Sequence, residues 1–194
     1  FTPTDNNVYD TVVFNVSVTV SKATPSVTAT PTAAAISYGA ALSTATLGSG
    51  SASVAGTFAY ASPSSTPTAG TANQSVTFTP SDTSNYNSVT GIQVSVTVNK
   101  ATPTLVAPTA GGLVTGQTLS SSALSGGSAS SSGASVSGSF AWTDSSIAPS
   151  IGTASYSVTF TPTDGSNYNT NTADVSVSTY GVPTITSVSP TSGL

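Results

Sequence analysis

One stretch occurs three times along this chain, at spacings the size of a small domain. It reads FTPTDNNVYDTVVFNVSVTV from residue 1, FTPSDTSNYNSVTGIQVSVTV from residue 78 and FTPTDGSNYNTNTADVSVST from residue 160. Each copy holds a Pro-x-Asp turn, then a tyrosine, then a run in which apolar and polar residues alternate. Repetition at this spacing describes an array of modules, each carrying its own core. The alternation has the period of a half-buried strand. No segment combines a 3.6-residue apolar period with helix caps, so essentially no helix is predicted. Short alternating strands separated by Pro/Gly turns indicate an all-β sandwich class.

A second repeated motif sets the boundaries. Lys22-Ala-Thr-Pro25 returns as Lys100-Ala-Thr-Pro103, 78 residues later. Proline fixes φ and cannot donate to a strand ladder, which suits a crossing between modules. The chain then divides into residues 1–21, the C-terminal strands of a truncated or strand-donating repeat; residues 22–99, repeat one; residues 100–181, repeat two; and residues 182–194, the first strand of a further domain. In the first segment Phe14, Val16, Val18 and Val20 alternate with polar residues and predict a half-buried strand. Repeat one predicts strands over 27–30, 36–47, 54–61, 74–80 and 92–98. Leu42 aligns with Leu119 and Val54 with Val136, which puts a five-residue insertion between Leu119 and Val136. That region contains Ser125–Gly133, whose Ser/Gly composition predicts a flexible loop.

Composition removes whole classes of function. Only 4% of the residues are charged, against about a quarter in ordinary soluble domains, and the net charge is −4. Such a chain has no basic footprint for nucleic acid. Ser, Thr, Gly and Asn interrupt every apolar stretch before it reaches membrane-spanning length, so no membrane span is predicted. With no His and no Cys, the usual general base and thiolate are missing, and the expectation is not an enzyme, with no cofactor. Hydroxyl-rich chains are often disordered, but the apolar residues here keep strand period, and burying each contributes about 1.5–3 kcal/mol.

Several ordered motifs carry a family resemblance. They are Pro25-Ser-Val-Thr-Ala-Thr-Pro-Thr-Ala, Ile36-Ser-Tyr-Gly, Leu42-Ser-Thr-Ala-Thr-Leu-Gly-Ser-Gly, Val54-Ala-Gly-Thr-Phe-Ala-Tyr, Ala69-Gly-Thr-Ala-Asn-Gln-Ser-Val-Thr-Phe-Thr-Pro-Ser-Asp and Asn85-Tyr-Asn. The series resembles the bacterial immunoglobulin-like repeats of the MBG/YDG type over residues 1–179. Residues 183–194 resemble the opening of an IPT/TIG immunoglobulin-like domain. The resemblance implies tandem immunoglobulin-like β-sandwiches joined end to end and an extracellular or cell-surface (secreted) setting. It also implies a structural role as stalk, adhesin or fibre, and it brings no catalytic residues. The chain departs from the common pattern at Gln74, where an aromatic such as Tyr156 is usual, so repeat one would lack a tyrosine corner hydrogen bond.

A few constellations remain to be weighed. Asp5, Asp82 and Asp164 stand in the repeated turns and are the candidate metal ligands. Each turn offers one carboxylate where calcium takes six to eight oxygens, so an Asx turn is the simpler reading. The repeated tyrosine, Tyr9, Tyr86 or Tyr168, reads as a plug at the end of a sandwich core. Tyr60 and Trp142 end homologous strands. They would serve a sugar-stacking platform or, since they share a face with Phe58 and Phe140, core packing. Lys22 and Lys100 would need burial beside an acid to form an isopeptide, and a junction does not offer that. Asn15-Val-Ser17 and Asn73-Gln-Ser75 match the glycosylation sequon. The expected function is a structural repeat segment of a large bacterial surface protein. Its expected partners are neighbouring modules or copies of the same chain. One alternative is a self-assembling filament subunit that adds residues 1–20 as a strand to a neighbour. The other is an adhesin module that binds surface glycans.

Overall fold

The computed structural model describes residues 1–5 and 7–187, and these form an all-β protein. Apart from two three-residue 3₁₀ turns, at Leu42–Thr44 and Leu119–Ser121, the described residues contain no helix. None is therefore long and apolar enough to cross a membrane.

The first full copy of the repeat contributes β1 (Val27–Ala29), β2 (Ile36–Ser37), β3 (Ser51–Ala52), β4 (Gly56–Tyr60), β5 (Gly70–Pro80) and β6 (Val89–Asn99). The second contributes β7 (Thr104–Val106), β8 (Thr109–Ala110), β9 (Leu113–Val114), β10 (Leu124–Ser125), β11 (Ser128–Ser131), β12 (Ala134–Ser135), β13 (Gly138–Trp142), β14 (Gly152–Pro162) and β15 (Asn171–Tyr180). The main sheet of the first copy runs β2-β6-β5-β4, and that of the second runs β9-β15-β14-β13. The small facing sheets are β1-β3 in the first copy, and β7-β11-β12 with β8-β10 in the second. No sheet mixes strands from the two copies. In each main sheet the short outer strand, β2 or β9, pairs parallel to the last strand, and the other pairings are antiparallel.

The core follows from strand period. Val76 and Phe78 of β5, with Val94, Val96 and Val98 of β6, face inward and are buried. Val158, Phe160, Val175 and Val177 do the same in the second copy. The 3₁₀ turns each add a buried leucine, Leu42 or Leu119, to these cores. Phe58 packs on Phe78 with ring centroids 5.0 Å apart, and Phe140 packs on Phe160 at the same separation. Tyr60 and Trp142 pack their rings against these cores. The Trp142 indole N–H donates to the Ser122 carbonyl at 2.9 Å, whereas the Tyr60 hydroxyl is buried without a partner.

Several expectations are corrected. The run 36–47 is not one strand. Gly39, at φ +89°, turns the chain after two residues, and the 3₁₀ turn follows. β5 and β6 are longer than their apolar runs, because Thr71-Ala72-Asn73 pairs on the ladder while exposed, and Thr90-Gly91 forms an irregularity between the Val76–Ile92 and Phe78–Val89 pairs. Segment 125–133 is no loose loop. β11 and β12 form a hairpin across Ser132-Gly133, both at positive φ as a two-residue type I′ turn requires. Tyr156 lies mid-strand opposite Val175 with its ring on the Leu113–Leu119–Val177 cluster, which is not a strand corner.

Residues 7–21 form no strand. Phe14 is 75% exposed and Val20 is 87% exposed. Their counterparts in the first copy, residues 92–98, are strand only because β5 and β2 flank them. A strand without a partner leaves its backbone groups to water. At the other end, residues 183–187 are exposed and pair with no strand among the described residues, and the rest of the expected strand over 182–194 lies outside them.

One buried position separates the copies. Thr179 in β15 is 2% exposed and its hydroxyl has no partner among the described residues, where the first copy has Val98. Thr179→Val should raise stability by about 1 kcal/mol, because it removes an unsatisfied buried hydroxyl while keeping the shape. A higher urea midpoint at unchanged m-value is the expected readout.

Candidate functional site

The two repeated motifs are halves of one structural unit. The Lys-Ala-Thr-Pro junction lies against the Asp-x-x-Asn-Tyr-Asn turn of its own copy. In the second copy the Ala101 N–H donates to the Asn167 carbonyl at 3.0 Å, and the Asn169 N–H donates back to the Ala101 carbonyl at 2.9 Å. Asn169 Nδ2 donates to Thr102 Oγ1 at 3.0 Å, and Lys100 Nζ donates to the Gly165 carbonyl at 2.6 Å. The first copy repeats the pattern through Ala23, Asn85, Asn87, Thr24 and Lys22, with Lys22 Nζ on the Thr83 carbonyl at 2.7 Å. Both lysines are exposed.

The turn aspartates organise the unit from within. Asp164 accepts from the Asn167 backbone N–H at 3.2 Å and from Asn167 Nδ2 at 2.8 Å. Asp82 accepts likewise from Asn85, and from the Ser84 N–H at 3.1 Å. Asp5 accepts from the Asn7 N–H at 3.0 Å. These are Asx turns. Among the described residues no three acids come together in a group that could hold a metal ion. The Asn85 and Asn167 side-chain amides hold the Asp82 and Asp164 carboxyls below their ordinary value. Desolvation opposes this as the next largest influence, and backbone N–H groups and the nearby lysine charges, Lys22 and Lys100, add to the lowering.

The sign of the resulting pH dependence follows. A carboxyl depressed in the folded state contributes stability that is present above its unfolded value, about 4, and is lost as pH falls through the folded value. Melting temperature should therefore hold from neutral pH to about pH 5 and fall below about pH 4. Asp164→Asn should flatten that fall for the second copy.

The turn of the second copy also reaches into the first. Asn167 is only 9% exposed, and its Oδ1 accepts the Ala69 backbone N–H at 2.8 Å, across 98 residues of sequence. Tyr168 plugs the core formed by Ala129, Val136 and Phe160, and its ring meets Tyr38 of the first copy edge-on at 5.2 Å. A single residue, Lys100, lies between the end of β6 and the bridge at Ala101. One asparagine thus uses its N–H₂ to latch its own turn and its carbonyl oxygen to hold the neighbouring copy. Asn167 was not among the predicted site residues. The signal was an asparagine directly before the repeated tyrosine in two of the three stretches, Asn85 and Asn167, with Val8 in the third.

No family model matches the chain, and no curated protein matches it.

Proposed function

We propose that this chain is a structural repeat segment of a large bacterial cell-surface or extracellular protein, acting as a stalk or fibre in which immunoglobulin-like modules are joined end to end. The observation that carries the reading is the joint itself. A hydrogen bond from Ala69 to Asn167 and an edge-on pair of tyrosines bridge two copies that have almost no linker between them. Such a joint resists bending, which a spacer needs and a flexible tether does not. The small number of charges supports the same reading, since few contacts then depend on salt. The motif resemblance supplies the surface setting.

Amide ¹⁵N relaxation tests this. Residues 22–99 and 100–180 should share one anisotropic tumbling tensor, and the double variant Tyr38→Ala/Asn167→Ala should split it in two. Independent tumbling of the unaltered copies would end the stalk reading.

A second reading, a filament subunit that adds residues 1–20 to a neighbour as a strand, is favoured by the exposed alternation of Phe14, Val16, Val18 and Val20. Main-chain pairing would supply affinity and the alternate side chains specificity. Fibres that persist after deletion of residues 1–21 would count against it.

A further inference from the structure

We infer that the exposed turn of the first copy and the exposed tip of the second are complementary, so that a second copy of this chain docks there through contacts like those that link the repeats within one chain. The inference rests on the reading of that joint as a rigid coupling.

At one end stands the turn of the first copy. Asn85 is latched to Asp82 through its N–H₂ at 2.8 Å, as Asn167 is to Asp164. Its Oδ1, the atom with which Asn167 holds Ala69, accepts nothing among the described residues, and Asn85 is exposed where Asn167 is buried. Tyr86, bridged to Ala23 as Tyr168 is to Ala101, stands beside it.

At the other end stands the tip of the second copy. Ala69 precedes Gly70, at φ +127°, which opens β5; Ile151 precedes Gly152, at φ +123°, which opens β14. Tyr38 precedes Gly39 at φ +89°; Thr115 precedes Gly116 at φ +91°. The Tyr38 N–H donates to the Asn99 carbonyl, and the Thr115 N–H donates to the Tyr180 carbonyl in the same way. The backbone that receives Asn167 and Tyr168 in the first copy is therefore rebuilt in the second. There the Ile151 N–H is free among the described residues. Thr115 lacks the ring of Tyr38, but the tip gains apolar surface instead. Ile151 is 66% exposed and Tyr180 62%, with Val114 beside Tyr180 on the parallel ladder. An unfilled acceptor with an aromatic ring at one end matches an unfilled donor with an apolar rim at the other.

In the docked pair, Asn85 Oδ1 of one copy accepts from the Ile151 N–H of the next, and Tyr86 covers Ile151, Val114 and Tyr180. The contact is heterologous and does not close on itself, so copies add in a line. A patch of this size gives a weak association, with a Kd on the order of 0.1–1 mM.

The test is a concentration series of the full chain from about 20 µM to 1 mM, followed by sedimentation and by ¹⁵N spectra. The weight-average mass should rise about 2- to 6-fold at the upper end, as open linear addition at that Kd requires, with the Ile151 amide and the Asn85 side-chain amide shifting together. Ile151→Asp, at an exposed position, should abolish both, and deletion of residues 1–21 should leave both in place. A chain that stays monomeric, an association that survives Ile151→Asp, or one that disappears with residues 1–21 (strand addition instead) each overturns the inference. The relaxation experiment on the internal joint is separate, and a rigid pair that stays monomeric would overturn the end-to-end docking alone.

Discussion

Gly138→Ala is expected to destabilise the second copy by about 3 kcal/mol, a large loss for the addition of one methyl group. Gly138 opens β13 opposite Pro162, and the Phe160 ring lies across it. A Cβ there would fall well inside van der Waals contact with the Thr161 carbonyl oxygen and with Cζ of Phe160. The carbonyl belongs to the β13-β14 ladder and cannot retreat without breaking strand pairing. The ring also packs on Phe140, with centroids 5.0 Å apart, which limits its room to move. The glycine is thus required by a close approach, with no demand on φ. Gly56→Ala should behave alike in the first copy, where Thr79 and Phe78 take the same places. Gly165→Ala is the control. Nothing lies within 4 Å of its Cβ position, so the change should stay within about 0.5 kcal/mol. Urea unfolding followed by the fluorescence of Trp142, the only tryptophan, reads the second copy directly.

The same residues show what the sequence could and could not disclose. The inward faces of β5, β6, β14 and β15 were legible because Val76, Phe78, Val158 and Phe160 keep period two over long runs. The turn aspartates were legible because Pro-x-Asp has few conformations. What failed was whatever depended on a partner. Residues 14–20 have as good a strand pattern as 92–98, yet strand is a property of a pair, and only the latter run has neighbours. The 128–135 hairpin was hidden by its serines, since its stability comes from a register and a turn at Ser132-Gly133. The joint was hidden for a different reason. Asn85 and Asn167 have equivalent local sequence and equivalent latches, but only one is buried. Which of them meets a neighbour is set by the order of modules, and local chemistry says nothing about that.

Module order also governs the other large effect. Phe160→Ala should cost the second copy about 3–5 kcal/mol, the usual range for emptying a ring-sized core site. Phe160 is 2% exposed and packs with Phe140, Ala129, Val136 and Tyr168. Because no sheet mixes strands from the two copies, the loss should stay local. The fluorescence transition of Trp142 should then move to lower urea, while circular dichroism, which sees both copies, splits into two steps. Phe78→Ala should do the reverse, with the first step now silent in fluorescence. In an array of this kind, stability is a sum of module terms and neighbour terms. The neighbour term here is the Ala69–Asn167 hydrogen bond with the Tyr38–Tyr168 contact, worth about 1–2 kcal/mol. That is less than the expected loss, so the steps should separate. If both signals moved together in Phe160→Ala, the joint would have to be stronger than these two contacts, and the pair would unfold as one cooperative unit. Added to Phe160→Ala, Tyr38→Ala should widen the gap between the two steps, because the ring of Tyr168 loses its edge-on partner while the core it plugs stays otherwise unchanged.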